Sequence, residues 1–191
     1  MIQIQGPPYC TIVADPPWPE YGGGKIRRGA NKHYSLMSLD EIKGLGEKVK
    51  AWRGPEGCHL YLWVTNNYLP AGLDIMKVWG FEYKTCITWG KIKDDGSPTM
   101  GIGQYFRGAS EHCLFGTYGH LPYRMTDGAD PKRGQGRTLI LAPRQEHSQK
   151  PVGLLEMAEL VSHPPGLEMF ARVKRPGWDA WGDGVATEAM L

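Results

Sequence analysis

Six short apolar, β-branched runs alternate along this chain with stretches of helical spacing, and that alternation confines the fold more tightly than any single motif. Tyr9 to Ala14 reads as a buried strand that closes directly on Asp15-Pro16-Pro17. His59 to Val64, Tyr83 to Trp89, Glu111 to Gly116, Thr138 to Ala142 and Leu167 to Ala171 are the others. Between them, Ser38 and Glu41 have capping-box spacing and introduce a helix to about Lys50. Asn66 or Asn67 can cap a helix from Leu69 to Trp79, which Gly80 ends, and Pro151 suits the first turn of a helix to about Ser162. Strands alternating with helices call for an α/β fold with a mainly parallel sheet covered on both faces. Ligands of such sheets bind beyond the carboxyl ends of the strands, where Asp15, Thr65 to Asn67 and Ala171-Arg172 all fall.

The 191 residues suit one domain, 1–191. Burial of roughly 70% of the unfolded surface at this length needs no staple. A net charge of +2 describes a slightly basic protein and does not by itself single out a nucleic-acid binder. The four cysteines are scattered without a C-x-x-C pair, and the six histidines show no ligand spacing, so neither a disulfide framework nor a metal site is expected. No charged and apolar leader opens the sequence and no apolar run approaches the ~18 residues that cross a membrane, which reads as a soluble, cytoplasmic protein. Gly101-Ile102-Gly103 lacks the third glycine of a dinucleotide fingerprint and opens no helix.

Asp15-Pro16-Pro17-Trp18 carries the chemistry. Both prolines lack an N–H, so the turn offers a carboxylate and backbone carbonyls beside an indole. An exocyclic amine on a flat ring, such as that of adenine, suits an acceptor-rich pocket with an aromatic wall. The alternative is that Pro-Pro merely stops the strand and Trp18 fills a core.

The sequence resembles the MT-A70-type S-adenosylmethionine-dependent N6-adenine methyltransferases, whose signature at this place is D-P-P-W. The resemblance continues in order through Leu62-Trp63-Val64-Thr65-Asn66, Trp79-Gly80-Phe81 with Trp89-Gly90-Lys91, and Glu111-His112-Cys113-Leu114. It then runs through His147-Ser148-Gln149-Lys150-Pro151, Leu167-Glu168-Met169-Phe170-Ala171-Arg172, and Pro176-Gly177-Trp178 ahead of Trp181-Gly182. It implies a Rossmann-like class I methyltransferase fold with permuted motif order, the catalytic strand first and the cofactor strand near the C-terminus. It also implies that Lys150, Glu168, Phe170 and Arg172 face S-adenosylmethionine, Glu168 receiving hydroxyls and Arg172 the methionine carboxylate or nearby polar groups. One departure stands out at a further cofactor-binding position: the family reads Gly-Asn-Glu or Gly-Asn-Gln where this chain has Gly182-Asp183-Gly184, and an ionised Asp183 can only accept hydrogen bonds, so the cofactor contact there must change or be taken by neighbours.

The resemblance makes the substrate an adenine in nucleic acid, flipped from a duplex at a cost of a few kcal/mol or already single-stranded. Bonds from N6–H to the Asp15 carboxylate and the Pro16 carbonyl would steady the charge that grows on nitrogen. A carboxylate near its reference pKa of roughly 3.9 is too weak to deprotonate the neutral amine first. Trp18, Tyr21 and, if it is not core, Trp63 are the stacking candidates, with Asn66 at the tip of the second strand. Arg27, Arg28, Lys32, His33 and Tyr34 in one glycine-rich loop and Lys91, Lys93 and Arg107 in another are candidates to hold phosphates. Glu111 can orient the base or pair with Arg107. The short chain resembles bacterial and phage members, so DNA is expected over RNA. A partner subunit is compatible with this reading, and a non-catalytic scaffold is the alternative from a different class.

Overall fold

The computed structural model describes residues 8–19, 36–144 and 149–182. Thr11–Ala14 form β1, buried at every position. The other strands are β2 (Gly57–Val64), β3 (Glu82–Ile92), β4 (Ser110–Gly119), β5 (Leu139–Pro143), β6 (Gly166–Met169) and β7 (Trp178–Trp181). Together they make one seven-stranded sheet in the order β5-β3-β4-β2-β1-β6-β7. β1 lies parallel between β2 and β6, and β5 and β7 run parallel to β3 and β6. β4 runs antiparallel to both β2 and β3, a reversal that alternation alone does not show.

Helices α1 (Leu39–Gly44), α2 (Gly46–Trp52) and α3 (Leu69–Val78) flank one face, and α4 (Gly153–Val161) flanks the other. Successive residues of a strand point to opposite faces. Accordingly Ile12 and Ala14 join Ile42, Val49, Ile75 and Met76 in one core, while Val13 joins Tyr61, Trp63, Leu154 and Ala158 in the second. Each fully buried Ile, Val, Leu or Met side chain among them contributes about 1.5–3 kcal/mol. At the margin, the Tyr9 hydroxyl donates to Asp179 Oδ2 at 2.7 Å and ties the approach to β1 to β7.

Local signals explain most element boundaries. Ser38 caps α1 through its reciprocal box: its Oγ accepts from the Glu41 N–H, and Glu41 Oε2 accepts from the Ser38 N–H at 2.7 Å. The single helix expected to Lys50 is instead two, divided at Leu45, where glycines on both sides weaken helical propensity. Asn66 and Asn67 do not cap α3. They enter a 3₁₀ turn, Asn66–Tyr68, and Tyr68 takes the cap position. Gly80 ends the helical segment with φ +84°, and a Cβ there would meet Arg53 Nη1, part of the guanidinium that donates to the carbonyls of Trp79 and Gly80. Pro151 precedes α4, which begins at Gly153. β6 stops at Met169, before the predicted end, because Phe170 turns with φ +62°. Trp178–Trp181, four residues with no strong run of their own, pair with β6 as an edge strand the sequence did not announce.

The strand register gathers one rim. The carboxyl ends of β2, β3 and β5 meet the start of β4, with Val64 opposite His112, Gly90 opposite Ser110 and Ile92 opposite Pro143.

Candidate active site

Four charged side chains from four different segments converge at that rim. Asp15 follows β1, Lys91 is next to last in β3, Glu111 is second in β4, and Lys150 lies between β5 and α4. The Lys150 ammonium donates to Asp15 Oδ2 at 2.7 Å and lies 3.4 Å from Glu111 Oε2. Lys91 donates to Glu111 Oε1 at 2.5 Å. Asp15 keeps 28% of its side chain exposed and the other three between 16% and 20%, so the chain of charges is mostly withdrawn from water without being sealed.

Electrostatics follow from that burial. Desolvation pushes the Asp15 carboxyl above its ordinary value, with Lys150 and Arg172 opposing it and Glu111 adding to it. Burial also pushes Glu111 upward, but the ammoniums of Lys150 and Lys91 outweigh it and hold the carboxyl below its usual range. Burial disfavours the charged form of Lys150, yet Asp15 and Glu111 together raise its pKa. Two carboxyls and two amines thus alternate in contact along the rim.

The floor beneath is aromatic. Lys150 Nζ sits 5.5 Å from the Trp63 ring centroid and Lys91 Nζ 4.8 Å from that of Trp89, while the two indoles meet edge to face at 6.3 Å. Trp63 is buried, so it is a support and not an open stacking surface. Trp18 departs from expectation in the same way. It is 6% exposed, its indole N–H donates to the Trp63 carbonyl at 3.0 Å, and its ring stacks on Tyr68 at 5.4 Å. The Tyr68 hydroxyl in turn bonds the Pro19 carbonyl at 2.7 Å, closing a brace around the turn. The Pro16 carbonyl already accepts the Trp18 N–H at 2.9 Å and keeps a second lone pair, and the Pro17 carbonyl accepts from Met37.

Next to this group, β6 carries Glu168 and the turn after it carries Phe170 and Arg172. Glu168 accepts from Arg175 Nε at 3.2 Å, a partner the sequence reading did not single out. Burial raises the Glu168 carboxyl and Arg175 opposes the rise. Phe170 packs edge to face on Trp181 at 5.3 Å, and the Ala171 N–H bonds the Trp181 carbonyl at 3.1 Å. A left-handed φ at a phenylalanine is uncommon and costs about 1–3 kcal/mol, so the surrounding contacts hold it.

Other candidates are placed differently. Asn66 donates to the Ser110 carbonyl at 3.2 Å, and its Oδ1 lies 2.8 Å from His112 Nε2. His112 Nδ1 lies 3.1 Å from Thr88 Oγ1, which makes a small polar network that local spacing did not suggest. Glu111 pairs with the two lysines and not with Arg107, whose Nε donates to the Gly101 carbonyl. Lys91, expected to reach for phosphate, is turned inward to Glu111. Tyr21, Arg27, Arg28, Lys32, His33, Tyr34 and Asp183 lie outside the described residues. Among the described residues no cluster of His, Cys, Asp or Glu is arranged to hold a metal, and no helix is long and apolar enough to cross a membrane.

A mixed α/β sheet whose carboxyl rim joins an Asp-Pro-Pro-Trp turn to a half-buried lysine has the build of a class I methyltransferase-like fold. The chain belongs to the MT-A70 family, whose model matches residues 9–184, a family of S-adenosylmethionine-dependent N6-adenine methyltransferases. It is 32% identical to the N6-methyladenosine RNA methyltransferase MTA1 of Cryphonectria parasitica over 95% of this chain and 53% of that protein. It is 28% identical to the human N(6)-adenosine-methyltransferase catalytic subunit METTL3 over 93% of this chain and 29% of that protein. The Type II methyltransferase M.MunI of Mycoplasma sp is 27% identical over 94% of this chain and 79% of its own length. The chain thus spans about half the length of the fungal relative, and less of the human one. These matches correct the expectation of a DNA substrate: relatives whose names specify a nucleic acid or nucleoside specify RNA or adenosine.

Proposed function

We propose that this chain is the methyl-transfer domain of an RNA N6-adenosine methyltransferase that uses S-adenosylmethionine. The observation that carries the reading is the Asp15 carboxylate of an intact Asp-Pro-Pro-Trp turn, held at the carboxyl rim by Lys150 at 2.7 Å. The order of elements, with the Asp15 strand first and the Glu168 strand late, suits the permuted arrangement that the family resemblance implies.

The donor set fits the methyl donor chemically. That molecule combines a cationic sulfur, an α-amino acid and a nucleoside. The rim supplies a carboxylate at Glu168 for cationic or hydroxyl groups, a guanidinium at Arg172 for a carboxylate, and the Phe170–Trp181 pair beside a ring. When bound, S-adenosylmethionine supplies an electrophilic methyl group.

The chain's own residues prepare the acceptor. Lys150 occupies Asp15 Oδ2, which leaves Oδ1 to accept one N6–H of adenine while the second lone pair of the Pro16 carbonyl accepts the other. Both acceptors face the nitrogen on which positive charge develops, so they stabilise it more in the transition state than before. Asp15 accepts the surplus proton only once methylation has made the nitrogen strongly acidic, and releases it to solvent. Trp18, through Trp63 and Tyr68, fixes the turn so that these oxygens are in place before substrate arrives.

The test is transfer of labelled methyl to matched single-stranded and duplex RNA and DNA oligonucleotides, followed by digestion and mass spectrometry. N6-methyladenosine in RNA supports the reading. Product in DNA alone overturns the substrate, and absence of both product and calorimetric binding of S-adenosylmethionine overturns the reaction.

A further inference from the structure

The four charges at the rim alternate in sign in the order Asp15, Lys150, Glu111, Lys91, with contacts of 2.7, 3.4 and 2.5 Å along the chain. The middle contact is the longest. An ammonium placed between two carboxylates is drawn more strongly to the one with less compensation. Glu111 already holds Lys91 at the shortest distance of the three, so Lys150 leans toward Asp15. Lys91 is itself fixed: its ammonium lies over the Trp89 ring, its side chain is 16% exposed, and its backbone pairs with Ala142 of β5.

We propose that Lys91 is a positioning residue for methyl transfer: by compensating Glu111 it leaves Lys150 to Asp15, and so sets the place and the charge of the carboxylate that receives the adenine amine. The inference rests on the methyl-transfer reading and concerns a side chain that acts through Glu111 and Lys150, not on the reacting atoms.

Charge counting gives the consequence. With Lys91 each of the two carboxyls has an ammonium in contact; without it the two carboxyls share one ammonium, and like charges that share a site keep a proton to higher pH. Other groups face this chain. His112 neighbours Glu111 on β4, while Arg172, Glu168 and Cys113 act electrostatically with Asp15. All four are unchanged when Lys91 alone is replaced, so a comparison between variants isolates the lysine.

The experiment compares the parent chain with Lys91→Met, which keeps the stem and removes the charge, and Lys91→Arg, which keeps a charge. Lys91→Gln serves as the neutral variant if Lys91→Met does not fold. Two readouts are taken: kcat and KM for transfer to single-stranded RNA across pH, and the carboxyl titration of Asp15 and Glu111 by carbon-13 NMR, which needs no turnover. For Lys91→Met the acid limb of kcat moves up by about one pH unit or more. Its kcat at neutral pH falls about tenfold, with KM held within about twofold. Lys91→Arg restores the limb, and the coupled Asp15–Glu111 titration moves upward in Lys91→Met alone. An unmoved carboxyl titration overturns the proposal, as does lost activity with an unmoved limb and no rescue by Lys91→Arg. If the parent transfers no methyl to RNA, the functional reading fails separately, and the carboxyl titration alone decides whether Lys91 controls the pair.

Discussion

Replacing Lys150 with methionine removes an ammonium that touches both carboxylates while keeping a stem of similar length over Trp63. At an effective dielectric of about 20, contacts of 2.7 and 3.4 Å correspond to gross attractions of about 6 and 5 kcal/mol. Desolvation of the ions cancels most of that, and breaking a buried pair by removing one partner typically costs about 3–5 kcal/mol. Here the side chains are 19–28% exposed and Lys91 still compensates Glu111. The expected loss at pH 8 is therefore about 2–3 kcal/mol, or about 4–12 °C in Tm for a chain of this size. The sign with pH is specific. Burial already raises the Asp15 carboxyl, and loss of Lys150 raises it further. The folded variant then takes up a proton above the range in which the unfolded chain does, so its stability improves as pH falls through the folded-state value. Urea unfolding of parent and variant at pH 8 and pH 5 measures the gap, which narrows at the lower pH. Equal stability at pH 8, or a deficit that does not change with pH, refutes the account of Lys150 as the buried counter-ion.

Asp15→Asn keeps the shape of the turn but removes the anion; transfer should fall by at least about a hundredfold while calorimetric binding of S-adenosylmethionine changes little, and full turnover would remove the carboxylate from the chemistry. Trp18→Phe deletes the indole N–H bond to the Trp63 carbonyl and should cost about 1–2 kcal/mol in denaturant unfolding; an unchanged midpoint would mean the brace is idle. His59, held near Ser162 Oγ at 2.8 Å, has its pKa lowered from 6.5 to about 4, first by burial and then by His163. The unfolded chain binds that proton first as pH falls below about 6.5, so stability drops by about 2 kcal/mol by pH 5. His59→Gln should flatten this part of the pH–stability curve, and an equally steep curve in the variant would assign the loss to other groups.

The parts legible in the sequence are those fixed by neighbouring residues. β1 and its closure on Asp15, the reciprocal pair of Ser38 and Glu41, and the stop at Gly80 follow from side-chain type and short spacing, and each forms. The helix break at Leu45 and the failure of Asn66 to cap α3 show where packing and a competing partner, His112 Nε2 at the Asn66 Oδ1, outweigh local preference. Long-range pairings were out of reach. Asp15 and Lys150 are 135 positions apart, and nothing in either segment states that their side chains meet. Glu111 looked toward Arg107 because the two are four apart, but β3 and β4 form an antiparallel pair that sets Glu111 opposite Trp89 and brings Lys91 within reach. Trp18 posed an open choice between pocket wall and core, and burial decides for core. Which strand runs backwards is likewise a property of the assembled sheet and not of the residues of β4.

The backward course of β4 also governs how a protein of this build can diversify. Both feet of connection 93–109 stand on the rim that carries Asp15, because β3 ends there and β4 begins there. Such a connection can lengthen, shorten or change composition without rethreading the sheet. It lies beside the candidate site, and its exposed Met100, Ile102, Tyr105 and Phe106 face solvent where the core makes no demand on them. Differences in target choice between proteins with this architecture are expected to accumulate in that segment, and chimeras that exchange it alone should alter what is methylated while inheriting the Asp15–Lys150 geometry intact.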